Sequence, residues 1–536
     1  MTLVFSCSTN KHVLFSLFVF MHIQKIATYA NRWLQAHKIT IEADANNALP
    51  TIEIIWLPDA AIKEAKERIR AAFRNVGIQL PPKKIIINLS PSDIKKVWTR
   101  FDLPIAVALL CLFTVEKQNS SYSTIKDKAV FFGELWLDGE VKWISWLLPS
   151  VLVAREEWME HFFVPAVNSH EIAVIPGIHI YPLTHFLQVV EFVQQEKIPV
   201  FFVGEKRPQD NLPHRLQTDF KDIKWHVLVK RALTIAAAWM HNVLLVWPPW
   251  SGKTMLAKAL LWILPPMSYE EQIEVSKIYS VGGKLQENNS LITQRPFRVV
   301  HHTASKIAIV WGGQHMTPGE ISLAHRGILF LDEFPEFPRE VLEVLRQPLE
   351  DKTITISRAQ WSVYYPADFM LVAAMNPCSC WFYQDKEKPC TCTYRDIQKY
   401  QSKISWPLLD RFDMILEVPR EHIEQILASE EQESSLVVQQ KVYTAHEYQK
   451  RRFIWYTYTT NAQIAAKDVQ TLIPLDKETK EFFLHAISSL HLSPRLLHRV
   501  QRIARTIADL GGADQINRSH IAEALQYRAK TYFLNV

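Results

Sequence analysis

Three uninterrupted apolar runs in the middle of the chain each end abruptly in polar residues. Val243–Leu244–Leu245–Val246 leads into Trp247–Pro248–Pro249–Trp250–Ser251–Gly252–Lys253–Thr254, Gly327–Ile328–Leu329–Phe330–Leu331 into Asp332–Glu333, and the run from Phe369 to Met375 into Asn376. Runs without alternation predict strands buried on both faces, as in a parallel sheet covered by helices. From about 214 to 420 such runs alternate with helical segments, the pattern of a three-layer α/β domain. Residues 21–204 read instead as α+β. Lys38–Ala43, Thr51–Trp56 and Lys84–Leu89 are predicted strands, Asp59 caps a helix over Ala60–Asn75, and Leu103–Phe113 is an apolar helix. Shorter elements follow at Gly133–Leu137 and Phe162–Pro165, with a closing helix near Thr184–Gln194. The charged, proline-containing stretch Glu205–Pro213 separates the two regions. Residues 421–440 are polar and acidic, a hinge or an exposed helix, and the rest of 421–536 is helical. Apolar Leu496, Leu497, Val500, Ile503 and Ile507 mark one face of a helix over Arg495–Leu510, stopped by Gly511–Gly512.

A strand, a short turn ending in Gly-Lys-Thr and an amphipathic helix from Met255 make a phosphate-binding order. Backbone N–H groups of the turn (Trp247, Pro248, Pro249, Trp250, Ser251, Gly252) and the positive helix end would cradle ATP phosphates. Lys253 would reach the β- and γ-phosphates, and Thr254 would ligate Mg²⁺. The strand ending in Asp332–Glu333 supplies the second element: Asp332 to hold Mg²⁺ and Glu333 to orient the attacking water. Asn376 is placed to sense the γ-phosphate. Arg411, on the turn Trp406–Asp413, could act as a finger across a subunit boundary, and Arg495 could close over the phosphates from a lid. Taken singly, the last three read equally as a capping asparagine and surface arginines; their order behind the two phosphate elements makes them a set.

Composition changes this picture at one point. With 536 residues the chain has room for two to four domains, and 48% hydrophobic with 21% charged residues describes an ordinary globular protein. The net charge of +5 permits nucleic acid as a partner without requiring it. But there are 14 glycines and 17 tryptophans, where average usage predicts glycine at ~7%. The tryptophans stand in turns: Trp56, Trp247 and Trp250 around Pro-Pro, Trp311 before Gly-Gly, Trp406 before Pro. Turns and phosphate loops select glycine because positive φ and close backbone approach exclude a β-carbon. Many of these positions are therefore read as UGA codons that the organism translates as glycine, the alternative being a divergent tryptophan-rich protein. Val13–Phe20 is too short to span a bilayer. Residues 1–20 are read as a non-native or disordered extension before a start at Met21, and the protein as cytoplasmic, without a membrane partner.

At this point the chain resembles the ComM/YifB family of magnesium-chelatase-like AAA+ ATPases, from about Met21 to the C-terminus. The stretches that carry the likeness are Leu57–Ala61, Phe101–Pro104, Arg295–Arg298 with His301–His302–Thr303, Pro318–His325, Arg346–Asp351, Ala374–Cys378 and Thr506–Leu510. Where the family has glycine this sequence has Trp56, Trp98, Trp146, Trp225, Trp247, Trp250, Trp311, Trp361, Trp381 and Trp406. The resemblance implies an AAA+ P-loop core over 214–420 and a C-terminal helical lid over 421–536. It assigns Lys253, Thr254, Asp332 and Glu333 to the phosphate motifs, Asn376 and Arg495 to the two sensors and Arg411 to the finger. It further implies a homo-hexameric ring, an insertion hairpin around Gly312–Glu320, and action on single-stranded or branched DNA, promoting branch migration during natural transformation. The competing expectation is a chelatase-type remodeller of a protein or tetrapyrrole complex. A third is an ATPase-dead scaffold, should Trp247 and Trp250 be genuine.

The N-terminal domain resembles the proteolytic domain of Lon, a ribosomal S5 domain 2-like fold. Its nucleophile region reads Trp98–Asp102 and its lysine position falls near Leu148, so the Ser–Lys pair is missing. A protease fold without protease chemistry is expected. Cys378, Cys380, Cys390 and Cys392 form two C-x-C arms that could close a tetrahedral Zn²⁺ site, or stand as four reduced thiols. His301 and His302, as neighbours, are expected to point apart, as a structural pair or a nucleic-acid contact. The basic helix with His498, Arg499, Arg502 and Arg505 either touches DNA phosphates or forms a solvated face.

Overall fold

A computed structural model describes residues 23–32, 34–55, 59–91, 99–114, 121–205, 218–223, 227–246, 253–285, 291–312, 317–358, 361–383, 385, 388–418, 433–456, 458, 460–465, 467–489 and 494–527. The expectations for residues 1–20, Trp56, the connector after Glu205, the turn 247–252 and residues 421–432 lie outside these. The chain divides into two units, one up to Lys206 and one from Arg207.

The first unit is built on β-rich hydrophobic patterning. Its strands are β1 (Gln24–Arg32), β2 (Gln35–Asn46), β3 (Thr51–Ile55), β4 (Lys84–Ser90), β5 (Ala129–Phe131), β6 (Glu134–Leu135), β7 (Val141–Lys142), β8 (His161–Pro165), β9 (His179–Leu183) and β10 (Phe202–Val203). Eight of them form one mixed sheet in the order β10-β9-β8-β5-β1-β2-β4-β3, while β6 and β7 pair as a hairpin. Strand β4 alternates buried Ile85, Ile87 and Leu89 with half-exposed neighbours, the period of a sheet with one face on the core. The helix Asp102–Phe113 packs on that face and is buried from Asp102 to Cys111, which explains an apolar run with no polar stripe.

That burial extends to a charge. Asp102 is fully buried, and Arg68 from the helix Asp59–Asn75 meets it with Nε–Oδ2 at 2.7 Å and Nη2–Oδ1 at 3.3 Å. Burial pushes the Asp102 carboxyl up to about 7 against the pull of Arg68. Its folded value thus lies above the ordinary 3.8, so the folded state holds more protons between those values and stability falls as pH rises through that window. Arg68→Ala is expected to cost about 3–5 kcal/mol where Asp102 is ionised. In urea titrations its midpoint should fall further below wild type at pH 8 than at pH 5, because protonation then spares the orphaned carboxyl.

In the second unit β11 (Val243–Val246), β12 (Phe297–Val300), β13 (Trp311–Gly312), β14 (Thr317–Pro318), β15 (Ile328–Leu331), β16 (Thr353–Arg358), β17 (Trp361–Pro366), β18 (Met370–Met375) and β19 (Met414–Glu417) are interleaved with helices. Five form a parallel sheet in the order β12-β15-β18-β11-β19. All residues of β11, β15 and β18 are buried, as unbroken apolar runs require. Strands β13–β14 and β16–β17 are separate antiparallel pairs.

Helix Val227–Trp239 and helix Lys253–Ile263 share one hydrophobic cluster with the sheet and with helices Ser435–Arg452 and Pro494–Leu510. The core and the helical C-terminal region are thus packed as one body. Val500, Ile503 and Ile507 are buried at the helical spacing read from the sequence. The polar stretch expected near 421–440 enters a helix at Ser435, whose N-cap Ser434 accepts from the Val437 N–H. Among the described residues no helix is long and apolar enough to cross a membrane.

Candidate nucleotide site

Parallel register decides what stands together. Val246 pairs with Met375 and Leu331 with Ala373. Strands β11, β15 and β18 therefore end on one edge, the carboxyl end of the sheet, where Asp332–Glu333 and Asn376 leave it. Helix Lys253–Ile263 buries Leu256, Ala257, Leu260 and Ile263 in the hydrophobic cluster it shares with the sheet. The side chains of Lys253, Thr254 and Arg495, and all of the turn 247–252, fall outside the described residues.

Glu333 stands at the mouth of this edge in a left-handed conformation, φ 52° and ψ 46°, with its N–H donating to Asp332 Oδ1 at 2.9 Å. A non-glycine residue held there stores strain of about 1–3 kcal/mol and marks a position aimed by its surroundings. His302 supplies one of them: its Nδ1 lies 2.9 Å from Glu333 Oε2. The two histidines do not point apart as expected. Their rings lie 4.1 Å apart, and His301 turns to Thr303 Oγ1 at 2.9 Å. Strand β12 ends at Val300, so the strand alternation behind that expectation no longer applies to the pair. A histidine just past the strand beside β15 was the available signal for this contact.

Asn376 is flanked by a second contact that the sequence concealed. The backbone of Asn376 hydrogen-bonds to the buried Tyr400 hydroxyl, which Glu336 and Glu333 approach closely enough to raise its pKa further after burial has done most of it. Gln401 Nε2 donates to the Pro377 carbonyl at 3.3 Å.

Arg411 sits at the amino end of β19. There the Asn242 N–H donates to Asp413 Oδ2 at 3.1 Å, and Asn242 Nδ2 donates to the Arg411 carbonyl at 3.1 Å. This is the end of the strands opposite the turn at 247. Its guanidinium donates to Glu350 Oε2 at 2.5 Å, to the Pro407 carbonyl at 2.5 Å and to the Arg346 carbonyl at 3.2 Å. Asp413, which anchors this turn, is held well below the ordinary carboxylate range: burial opposes it, but the hydrogen bond and charge of His241 and the charge of Arg499 prevail.

Arg499, Arg502 and Arg505 of helix Pro494–Leu510 do not form a solvated face, because each is tied to protein groups. Arg499 donates to the Phe412 carbonyl at 2.9 Å, Arg502 to the carbonyls of Ala462 and Ile464, and Arg505 to Asp509 and the carbonyls of Ala513 and Asp514. Spacing alone cannot tell a basic surface from guanidinium groups that neutralise carbonyls left open by loops.

The four cysteines converge. Their sulfurs all lie within 4.8 Å of one another, with Cys378–Cys380 and Cys380–Cys390 at 3.4 Å and Cys378–Cys390 at 3.8 Å. Burial raises the Cys378 thiol. For Cys380 burial acts the same way, but hydrogen bonds from Phe382, Cys392 and Thr391 outweigh it and bring the thiol down to about 5.

Among the described residues three tryptophans occupy the left-handed region: Trp146 at φ 66°, Trp158 at 65° and Trp381 at 76°. A bulky L-residue there costs roughly 1–2 kcal/mol, whereas glycine fits without cost. In the first unit Trp146 immediately precedes the helix Leu147–Glu156, and Leu148 is buried within it.

Three family profiles match the chain: magnesium chelatase, subunit ChlI, over residues 219–426; subunit ChlI of Mg-chelatase over 41–168; and the magnesium chelatase subunit ChlI C-terminal region over 432–528. The competence protein ComM of Haemophilus influenzae is 38% identical over 517 residues, covering 96% of this chain and 99% of that protein. The YifB protein of Salmonella typhimurium is 38% identical over 520 residues, covering 95% and 97%. YifB of Escherichia coli is 37% identical over 511 residues, with the same coverage.

Proposed function

The chain belongs to the ComM/YifB family of magnesium-chelatase-like proteins, and from that premise we propose that it is an ATP-hydrolysing motor acting on DNA. One observation supports the reading: β11, β15 and β18, which precede the Gly-Lys-Thr turn, Asp332–Glu333 and Asn376 in the sequence, end at a single sheet edge. Lys253 holds the β- and γ-phosphates, Thr254 and Asp332 hold Mg²⁺, Glu333 positions water and Asn376 reads the γ-phosphate. Arg411 lies at the other end of the strands from its own nucleotide, the placement of a group that serves a neighbouring subunit. That division of labour suits a homo-hexameric ring, in which Arg495 would close from the helical lid. The name of the Haemophilus relative supports a role in DNA uptake, with branch migration of joined strands as the step that needs a motor. The first unit is a Lon-like fold without a protease pair, and the four cysteines hold a structural Zn²⁺.

Forked or single-stranded DNA is expected to stimulate ATP turnover by the purified ring. Turnover indifferent to DNA, but raised by a tetrapyrrole or its protein carrier, would move the assignment to a chelatase-type remodeller.

The nucleotide site requires glycine at 247 and 250, and the left-handed φ values of Trp146, Trp158 and Trp381 support glycine at such positions more widely. Mass spectrometry of protein from its native organism should give the peptide His241–Lys253 with glycine at both places. Tryptophan at both would leave no room for phosphates and favour a scaffold without ATPase activity.

A further inference from the structure

The cysteine cluster is wired to the hydrolytic edge at both of its ends. Cys378 and Cys380 follow Asn376 directly, so one arm begins where the sensor strand stops. Cys392 is followed by Thr393, which caps the helix Tyr394–Gln401 through a reciprocal box with Asp396. The far end of that helix returns to the start. Tyr400 bonds the Asn376 backbone, Gln401 holds the Pro377 carbonyl, and Lys403 pairs with Glu336 at 3.0 Å, three residues beyond Glu333. The segment is a closed loop whose two arms meet at the sulfur cluster.

Its geometry fits one ion. A Zn–S bond of ~2.3 Å in a tetrahedron places sulfurs roughly 3.8 Å apart, against 3.4–3.8 Å for three of the pairs here. Four thiolates select Zn²⁺ over hard cations.

We infer that Cys378, Cys380, Cys390 and Cys392 bind one Zn²⁺ that acts as a clamp, fixing Asn376 through Tyr400 and Gln401 so that the ATPase depends on zinc. The inference rests on the ATPase reading above for its kinetic part only. The cysteines are positioning residues here, acting through the loop they close. Without the ion the sulfurs offer one another only weak thiol contacts, and the hold of Tyr400 and Gln401 on the strand end carrying Asn376 loosens.

The test uses the full chain purified without chelators. Elemental analysis should give one zinc per chain, and Cys390→Ser with Cys392→Ser should remove it. Turnover should then fall on the order of 10–100-fold, the usual effect of losing an orienting partner, with nucleotide affinity unchanged. Stripping wild type with a zinc chelator should reproduce the loss, and Zn²⁺ alone should restore it, which guards against a variant that merely misfolds. Asn376→Ala should cost much less in the zinc-free background than in wild type, because the clamp acts through that residue. Backbone hydrogen exchange over the Asn376 segment should quicken on stripping, a readout independent of hydrolysis. Absence of zinc that cannot be remedied by adding it overturns the site. Full activity without zinc, or strictly additive losses with Asn376→Ala, overturns the clamp. If wild type hydrolyses no ATP, zinc content and hydrogen exchange still decide the clamp, and only the function proposed above falls.

Discussion

Glu333→Gln is expected to cut ATP turnover by roughly 10²–10⁴-fold, the contribution of a positioned proton acceptor, while nucleotide still binds. Glutamine preserves the shape of the side chain and its room beside His302, 2.9 Å away, but it cannot attract the proton of an attacking water. The loss should appear in kcat with nucleotide affinity near wild type, as for an interaction made in the transition state. Retained turnover would refute the role. The strained φ of 52° means that the substitution should be isosteric; a bulkier or β-branched residue would disturb the turn as well as the chemistry.

Arg411→Ala should reduce turnover by the assembled ring by about 10³–10⁵-fold, the range for an arginine that stabilises charge on a transferring phosphoryl group. Nucleotide binding by isolated subunits should survive. The arginine also braces its own turn through Glu350 and the carbonyls of Arg346 and Pro407, so a second variant is needed to separate brace from finger. Glu350→Gln breaks the ion pair and leaves the guanidinium in place; its ring should turn over ATP normally. Equal losses in both variants would assign Arg411 to the fold. Normal turnover in Arg411→Ala would dismiss the finger.

The contrast between Glu333 and Arg411 also separates what the sequence alone determined from what required the folded chain. The apolar runs ending at Val246, Leu331 and Met375 announced buried strands and the polar residues at their ends, because a strand covered on both faces must be continuously apolar. The helical spacing of Val500, Ile503 and Ile507 likewise announced the face that is buried. The excess of tryptophan in turns needed nothing but composition and the sterics of a β-carbon. Local rules acting within a dozen residues settle such features, so they are legible in one dimension.

Other features depend on contacts between residues far apart in the chain. No local signal orders the strands β12-β15-β18-β11-β19, which ends β11, β15 and β18 at one edge. His302 reaches Glu333 only because β12 and β15 are neighbours, and the two histidine rings meet only because the strand has ended. Arg499 and Arg502 looked like part of a basic face, yet each finds carbonyls supplied by other segments. Tyr400 carried no mark of function at all, and it is the helix returning from Cys392 that places its hydroxyl against Asn376. Periodicity records which side of an element is buried; which groups meet across it is set by tertiary packing, whose partners are distant in sequence.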